Sequence, residues 1–250
     1  MKTIWLVGAS EGIGRALAIE LGKDENNFLI LSARSEERLA ELSTQIQSKN
    51  QSIVLDVSDN SSVAKAWESI KSTGNAVDTI IYCAGYYKPM SSKNIDIQEI
   101  EKMIDVNLSG AIRVLKKPIP EFINKKAGHI VLIGSIAGYR GLPNSIGYGA
   151  SKSGLIHFGE NLRCELAQYG IKVQVINPGF VKTRLTDLNN FSMPSIISAE
   201  DAAKYILKAM NRNSFESRFP FAFANTLKLI SKLPYQLYFK MLGSLLRDRL

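Results

Sequence analysis

At 250 residues, with 45% hydrophobic and 22% charged side chains, the chain is long enough for one α/β domain with a large core. That composition excludes a disordered, collagen-like or disulfide-scaffold protein, and the two cysteines, Cys83 and Cys164, form no CxxC pair. The net charge of +8 is uneven: residues 211–250 carry seven basic and two acidic side chains, with no nucleic-acid-binding motif among them.

Two isolated histidines, His129 and His157, give no metal-ligand spacing, so no metal is expected. The run Ile4–Val7 is too short for a signal-peptide core, and no stretch approaches the roughly 18 apolar residues of a membrane span. The expectation is a cytoplasmic protein.

Short β-branched runs alternate with helical patterns through the first 180 residues. Strands are predicted at Thr3–Val7, Phe28–Ser32, Ser52–Leu55, Thr79–Tyr82, His129–Ile133 and Lys172–Ile176. Helices are predicted at Gly14–Leu21, Ser35–Ser48, Ser61–Ile70, Ile97–Leu115 and Tyr148–Tyr169. This alternation implies βαβ units and a parallel sheet covered on both faces, a three-layer, doubly wound Rossmann-type α/β fold. The regular series stops after Gly179.

The first strand runs into Gly8-Ala9-Ser10-Glu11-Gly12-Ile13-Gly14, where a helix begins. Glycines there let backbone approach a pyrophosphate, and the helix N-terminus favours its charge. The spacing is GxxxGxG, and a nucleotide-hydrolysing GxxxxGK(S/T) loop is absent. A tight turn without a ligand is the alternative. Arg34 closes the second strand, where NAD-preferring folds place an acid for the ribose hydroxyls. A guanidinium suits the 2′-phosphate of NADP, and Ser10 adds a hydroxyl, so NADP(H) is preferred over NAD(H). Against this stand Glu11, which tempers the pocket's basicity, and a solvated role for Arg34.

Tyr148 and Lys152, four residues apart, share one helical face. A neighbouring ammonium is expected to lower the phenol from its usual pKa of about 10 and make Tyr148 an acid–base group. Ser135, just past the fifth strand, is placed to donate to a substrate oxygen. Taken alone, Tyr-x-x-x-Lys is also a common surface pair.

In chain order stand Gly8-x-x-x-Gly12-Ile13-Gly14, Ala84-Gly85, Asn107, Ser135, Tyr148-x-x-x-Lys152 and Asn177-Pro178-Gly179. This set closely resembles the short-chain dehydrogenase/reductase family over roughly residues 1–210. The resemblance implies a seven-stranded parallel sheet and NAD(P)-linked carbonyl–alcohol chemistry on a small-molecule substrate. It makes Tyr148 the general acid, Ser135 the carbonyl's hydrogen-bond donor and Lys152 the holder of the nicotinamide ribose. Asn107 would kink its helix and position water for a relay through Lys152. Asp56 and Val57 match the adenine contacts, while Val181 and Thr183 match those to the nicotinamide carboxamide. The Ala84-Gly85 and Pro178-Gly179 turns complete the cofactor-binding set. Val7 and Tyr82-Cys83 depart from the family's frequent residues at structural positions, and Cys83 reads as packing.

Residues 1–210 are thus expected to form the catalytic body, with a substrate lid around 184–198 and an extension of the same domain over 211–250. In the extension, Phe219, Phe221, Phe223, Leu227 and Ile230 precede Pro234, and Leu237, Tyr238, Met241, Leu242 and Leu245 follow at helical spacing. Such helices would pack on the substrate side, pair subunits in a homodimer or homotetramer, or make a peripheral membrane contact through 219–250. The functional expectation is NADPH-dependent reduction of a ketone or aldehyde, and the apolar extension suggests a lipophilic substrate. A cofactor-binding sensor or scaffold without turnover is the alternative. Epimerase or dehydratase chemistry would need a longer substrate domain.

Overall fold

The computed structural model describes the backbone of residues 1–247 and side chains through Gly243. Leu245, Arg247, Asp248 and Arg249 of the C-terminal pattern therefore lie outside the described side chains. Seven strands form one parallel sheet: β1 (Lys2–Val7), β2 (Asn27–Ala33), β3 (Lys49–Val54), β4 (Thr79–Tyr82), β5 (Gly128–Ile133), β6 (Ile171–Pro178) and β7 (Glu216–Phe219). Their order is β3-β2-β1-β4-β5-β6-β7. The chain winds outward from β1 to β3, then returns to lay β4 on the other side of β1. Ligands of open parallel sheets bind at such a switch point, beyond the carboxyl ends of the strands.

The helices are α1 (Gly12–Leu21), α2 (Glu36–Ser43), α3 (Asn60–Ser72), α4 (Ile97–Ile104), α5 (Gly110–Leu115), α6 (Ile119–Lys125), α7 (Ile146–Leu166), α8 (Ala199–Met210), α9 (Phe221–Ile230) and α10 (Tyr235–Arg247). Both faces of the sheet are dry. Alternation along β1 sends Trp5 and Val7 into one apolar cluster with Trp67, Phe122 and Leu155, and Ile4 and Leu6 into the other with Leu17, Val131 and Ile206.

Beyond shifted bounds and the unpredicted α6, three differences from the sequence expectation bear on the site. The segment predicted as one helix over Ile97–Leu115 is interrupted by a π-helical turn, Asp105–Ser109, that carries Asn107. The predicted Ser35–Ser48 helix keeps its Ser35 cap but ends at Ser43, and Ile46 turns back to be buried in the core. The seventh strand, read directly from no hydrophobic run and implied only by the resemblance, comes from residues 216–219. It pairs with the edge of β6 from Val175 to Pro178.

The chain after β7 is a helical hairpin pinned to the loop that follows Ser135. A guanidinium nitrogen of Arg140 donates to the Ser231 and Leu233 carbonyls, at 2.8 and 2.5 Å. Its plane lies 4.2 Å from the Tyr235 ring centre and 4.3 Å from that of Tyr238. The Tyr238 hydroxyl donates to the Gly141 carbonyl at 2.7 Å. No helix among the described residues is long and apolar enough to cross a membrane.

Candidate active site

A cleft of about 1490 Å³ opens over the carboxyl ends of the central strands. Gly8, Ser10, Gly12, Ile13, Gly14, Arg34, Asp56, Val57, Ala84, Gly85, Ser135, Tyr148, Lys152, Pro178, Gly179, Val181 and Thr183 all line it. Of the predicted site residues only Asn107 stands behind the wall.

The turn after β1 shows why two of its glycines are there. Gly8 has φ +90°, and a Cβ on it would lie 2.5 Å from the Ala84 nitrogen at the end of β4. A Cβ on Gly14 would lie 1.9 Å from the Gly8 carbonyl oxygen. The close approach at both positions is to the protein's own backbone, so the lack of a Cβ at these two lets the turn itself form. What faces a ligand is the helix end itself. The first bond into α1 runs from the Arg15 N–H to the Glu11 carbonyl at 3.2 Å, and the Glu11 side chain does not cap the helix. The N–H groups of Gly12, Ile13 and Gly14 are left as donors at the positive end of the helix dipole.

The Glu11 carboxylate instead bridges two arginines, Arg38 at 3.0 Å and Arg184 at 2.7 Å. It thus balances those two cations and leaves Arg34 exposed in the cleft, with no hydrogen bond or ion pair among the described residues. An unpaired guanidinium beside unfilled helix N–H groups is a donor set for a doubly phosphorylated ligand.

At the other end, Ser135 receives an N–H from Ala137 on its oxygen at 3.1 Å, which leaves its O–H free to donate. Its own backbone N–H is held by Asn177 Oδ1 at 3.0 Å, and Asn177 Nδ2 donates to Glu216 at 3.0 Å. Glu216 also meets Arg218 and Lys228, at 3.2 and 3.0 Å, so β7 and α9 brace the strand end that carries Ser135.

Tyr148 departs from the sequence expectation. Desolvation pushes its hydroxyl up to about 12, and the Ser135 hydroxyl opposes that shift. The expected lowering by Lys152 is not found: the ammonium sits 5.8 Å from the Tyr148 ring centre and donates to the Ile133 carbonyl at 2.8 Å. Burial pulls Lys152 itself down to about 8. Tyr148 is half-buried and Lys152 buried, and desolvation is the dominant cause of both shifts. Asn107 is buried, with Oδ1 accepting from the Tyr86 N–H at 2.7 Å and Nδ2 donating to the Tyr86 carbonyl and Ser151 hydroxyl, both at 2.9 Å. It thereby ties the π-turn to the loop after β4 and to α7.

Sequence reasoning missed two features. Tyr87 sets its ring edge-on to Tyr148, with centres 4.9 Å apart, and its hydroxyl donates to Asn189 in the 184–198 segment at 2.6 Å. Phe180, Phe191 and Phe223 form an aromatic wall, Phe180 contacting the other two at 6.0 and 5.8 Å. The pair Tyr86-Tyr87 after Ala84-Gly85 and Phe180 directly after Pro178-Gly179 were the available signals. Cys83 is half-buried at the cleft, and burial raises its thiol to about 11, which fits packing rather than nucleophilic work.

A parallel sheet with a helix end, a free arginine and a Ser–Tyr–Lys group around one cleft defines a dinucleotide-dependent oxidoreductase. The chain belongs to the short chain dehydrogenase family, whose model matches residues 2–192. It is 31% identical over 240 residues to an uncharacterized oxidoreductase of Myxococcus xanthus (strain DK1622), covering 95% of this chain and 94% of the relative. It is 33% identical over 198 residues to the 3-oxoacyl-(acyl-carrier-protein) reductase FabG of Buchnera aphidicola subsp. Schizaphis graminum, covering 79% and 81%. In fold it matches a short-chain dehydrogenase from Sphingobium yanoikuyae, solved in complex with NADPH, with a TM-score of 0.79 at 22% identity, covering 94% and 97%.

Proposed function

We propose that the protein reduces a ketone or aldehyde on a lipophilic substrate and draws its reducing equivalent from NADPH. The observation that carries this reading is the convergence of Ser135, Tyr148 and Lys152 on the same cleft as the open end of α1 and the unpaired Arg34. The residues fit the cofactor. Gly12, Ile13 and Gly14 offer N–H groups for its pyrophosphate, and Arg34 with Ser10 offers a cationic and a hydroxyl donor for a 2′-phosphate. Asp56, Val57, Ala84 and Gly85 border the adenine side; Pro178, Gly179, Val181 and Thr183 border the nicotinamide side. When bound, the dihydronicotinamide supplies hydride.

Tyr148, held up to about 12, is protonated throughout the physiological range and enters the reaction as the acid. An alkoxide forming at the substrate is far more basic than a phenolate, so the proton moves downhill from the Tyr148 hydroxyl. The Ser135 O–H donates to the same oxygen and stabilises the charge that develops there. Lys152 lines the cleft beside Tyr148 and is the residue that would hold the nicotinamide ribose. Asn107 keeps the π-turn and α7 in register beneath them. Residues 184–198 act as a lid, with the Tyr87–Asn189 bond as its attachment near the acid.

The aromatic wall and Leu227 make the substrate end apolar, which supports a lipophilic carbonyl compound. Exposed Ile97, Ile104 and Ile112 on α4 and α5 support a homo-oligomer. The similarity to a FabG reductase and to a short-chain dehydrogenase solved with NADPH supports the reaction class and the cofactor.

The test is loss of NADPH absorbance with a panel of apolar and polar carbonyl compounds. Turnover with apolar members, abolished in Tyr148→Phe, is expected. NADPH binding with no turnover across the panel would replace this reading with a sensor or scaffold.

A further inference from the structure

From Ser217 to Arg247 the sequence contains no aspartate or glutamate, while Arg218, Lys228, Lys232, Lys240 and Arg247 fall within it. The acid before this stretch, Glu216, is already engaged by Arg218 and Lys228, and the acid after it in the sequence is Asp248. Lys232 and Lys240 are exposed, with no ion pair among the described residues. Between and beside these lysines the hairpin turns its large apolar groups outward. Phe221 is 81% exposed, Leu229 70%, Tyr235 69% and Phe239 60%. Buried Tyr238 anchors α10 from the inner side, so the helix is held in place while its aromatic groups remain outside.

That outer surface is continuous with the cleft. Phe239 lines the cleft and faces out, and Leu242, Leu227 and Phe223 continue the apolar wall inward. We propose that the α9–α10 hairpin docks on an anionic lipid surface and admits a lipophilic carbonyl substrate from the bilayer directly into the cleft.

Two physical arguments favour lipid over a second copy of the chain. A two-fold interface sets the same patch against itself, which would face Lys232 and Lys240 with like charges and supply no acid from the described residues of the hairpin to pair them. An anionic bilayer interface offers both halves of what the surface lacks, an apolar layer for Phe221 and Leu229 and negative charge for the lysines. The docking rests on this surface alone; the delivery of substrate rests on the reductase reading given above.

Co-sedimentation of the full chain with vesicles tests both. Phosphatidylcholine vesicles containing phosphatidylglycerol should bind it at low salt and release it at about 1 M salt, where the Debye length falls to about 3 Å. Phosphatidylcholine alone should bind it weakly. A lysine near an anionic surface is worth about fivefold in partition, so K232Q/K240Q should reduce binding roughly twenty-five-fold. F221S/L229S should reduce it as well, and by a part that salt does not mimic. All four positions are exposed, so unchanged melting curves confirm that the variants fold.

A ketone presented within vesicles should be turned over more slowly by K232Q/K240Q, and a water-soluble ketone at an unchanged rate. Absence of binding at low salt overturns the proposal, as does binding that both double variants leave intact. Self-association abolished by F221S/L229S, without vesicle binding, would assign the surface to a second copy and overturn it too. Vesicle binding with no carbonyl turnover in any form would overturn the reductase reading and leave the lipid surface standing.

Discussion

Tyr148 and Arg34 carry the two most direct consequences of the site. Tyr148→Phe removes one hydroxyl from a ring whose packing against Tyr87 does not depend on it. NADPH affinity should stay within a few-fold of the parent while turnover falls about 10²–10⁴-fold, the usual worth of a general acid. Titration of the bound cofactor beside a steady-state assay separates the two effects, and more than a tenth of parental turnover would remove Tyr148 from the role of acid. Arg34→Ala deletes a cation that makes no ion pair or hydrogen bond among the described residues, so stability should hardly move. A charge-assisted hydrogen bond to a 2′-phosphate is worth about 1.5–3 kcal/mol. The dissociation constant for NADPH should therefore rise at least tenfold and that for NADH little; equal losses would make Arg34 structural. The sequence brought the cleft-lining set together because it forms an ordered series of turn and helix residues. It did not show the electrostatic state of Tyr148. That state depends on where the Lys152 ammonium points, and the Ile133 carbonyl that captures it comes from a distant strand.

At the scale of elements, Arg140 holds the C-terminal hairpin. Its guanidinium serves two carbonyls of the α9–α10 turn and lies against two aromatic rings of α10. Each cation–π contact is worth about 0.5–1 kcal/mol and hydrogen bonds to a charged donor about 1.5–3 kcal/mol. All four contacts share one side chain and do not add in full, so Arg140→Ala should loosen the hairpin by about 2–4 kcal/mol while the sheet persists. Faster proteolysis and hydrogen exchange confined to 221–247 would report this, together with a raised KM for apolar substrate and unchanged NADPH affinity. Loss of the global unfolding transition would show instead that the hairpin is part of the cooperative core. Five of the six legible strands are apolar runs buried on both faces, whereas β3, Lys-Asn-Gln-Ser-Ile-Val, buries only Ile53 and was legible only at its C-terminal end. The seventh, Glu-Ser-Arg-Phe, has two charges in four residues and owes its conformation to the free edge of β6. Pattern alone cannot supply such a partner. The break between α4 and α5 was implied at Asn107 by the family resemblance and not by periodicity, since a π-turn widens one turn of the helix by a single residue.

For the whole molecule, stability and chemistry sit at opposite ends of the sheet. The cleft lies over the carboxyl ends of the strands, whereas His129 lies at the start of β5, buried, with Nε2 2.8 Å from Gln174 Oε1. Gln174 in turn donates to the carbonyls of Ala209, Arg212 and Ser214, at 3.0, 3.0 and 2.9 Å, and so ties the end of α8 and the approach to β7 to the sheet. Burial lowers His129 from 6.5 to about 4. Between these values the unfolded chain binds a proton that the folded chain refuses, so stability rises with pH across the window and falls as pH drops through it. The slope from this one group approaches about 1.4 kcal/mol per pH unit, and it ends below about pH 4, where the folded state also takes the proton. His129→Gln keeps an N–H donor toward Gln174 but does not titrate. The carboxylates are common to both proteins, so their contribution cancels in the difference. Urea unfolding at pH 7.5 and pH 5 should show a smaller acid loss in the variant, by about 2 kcal/mol, while NADPH affinity at pH 7.5 is unchanged. Equal acid losses in the two proteins would mean that His129 is already charged in the folded state.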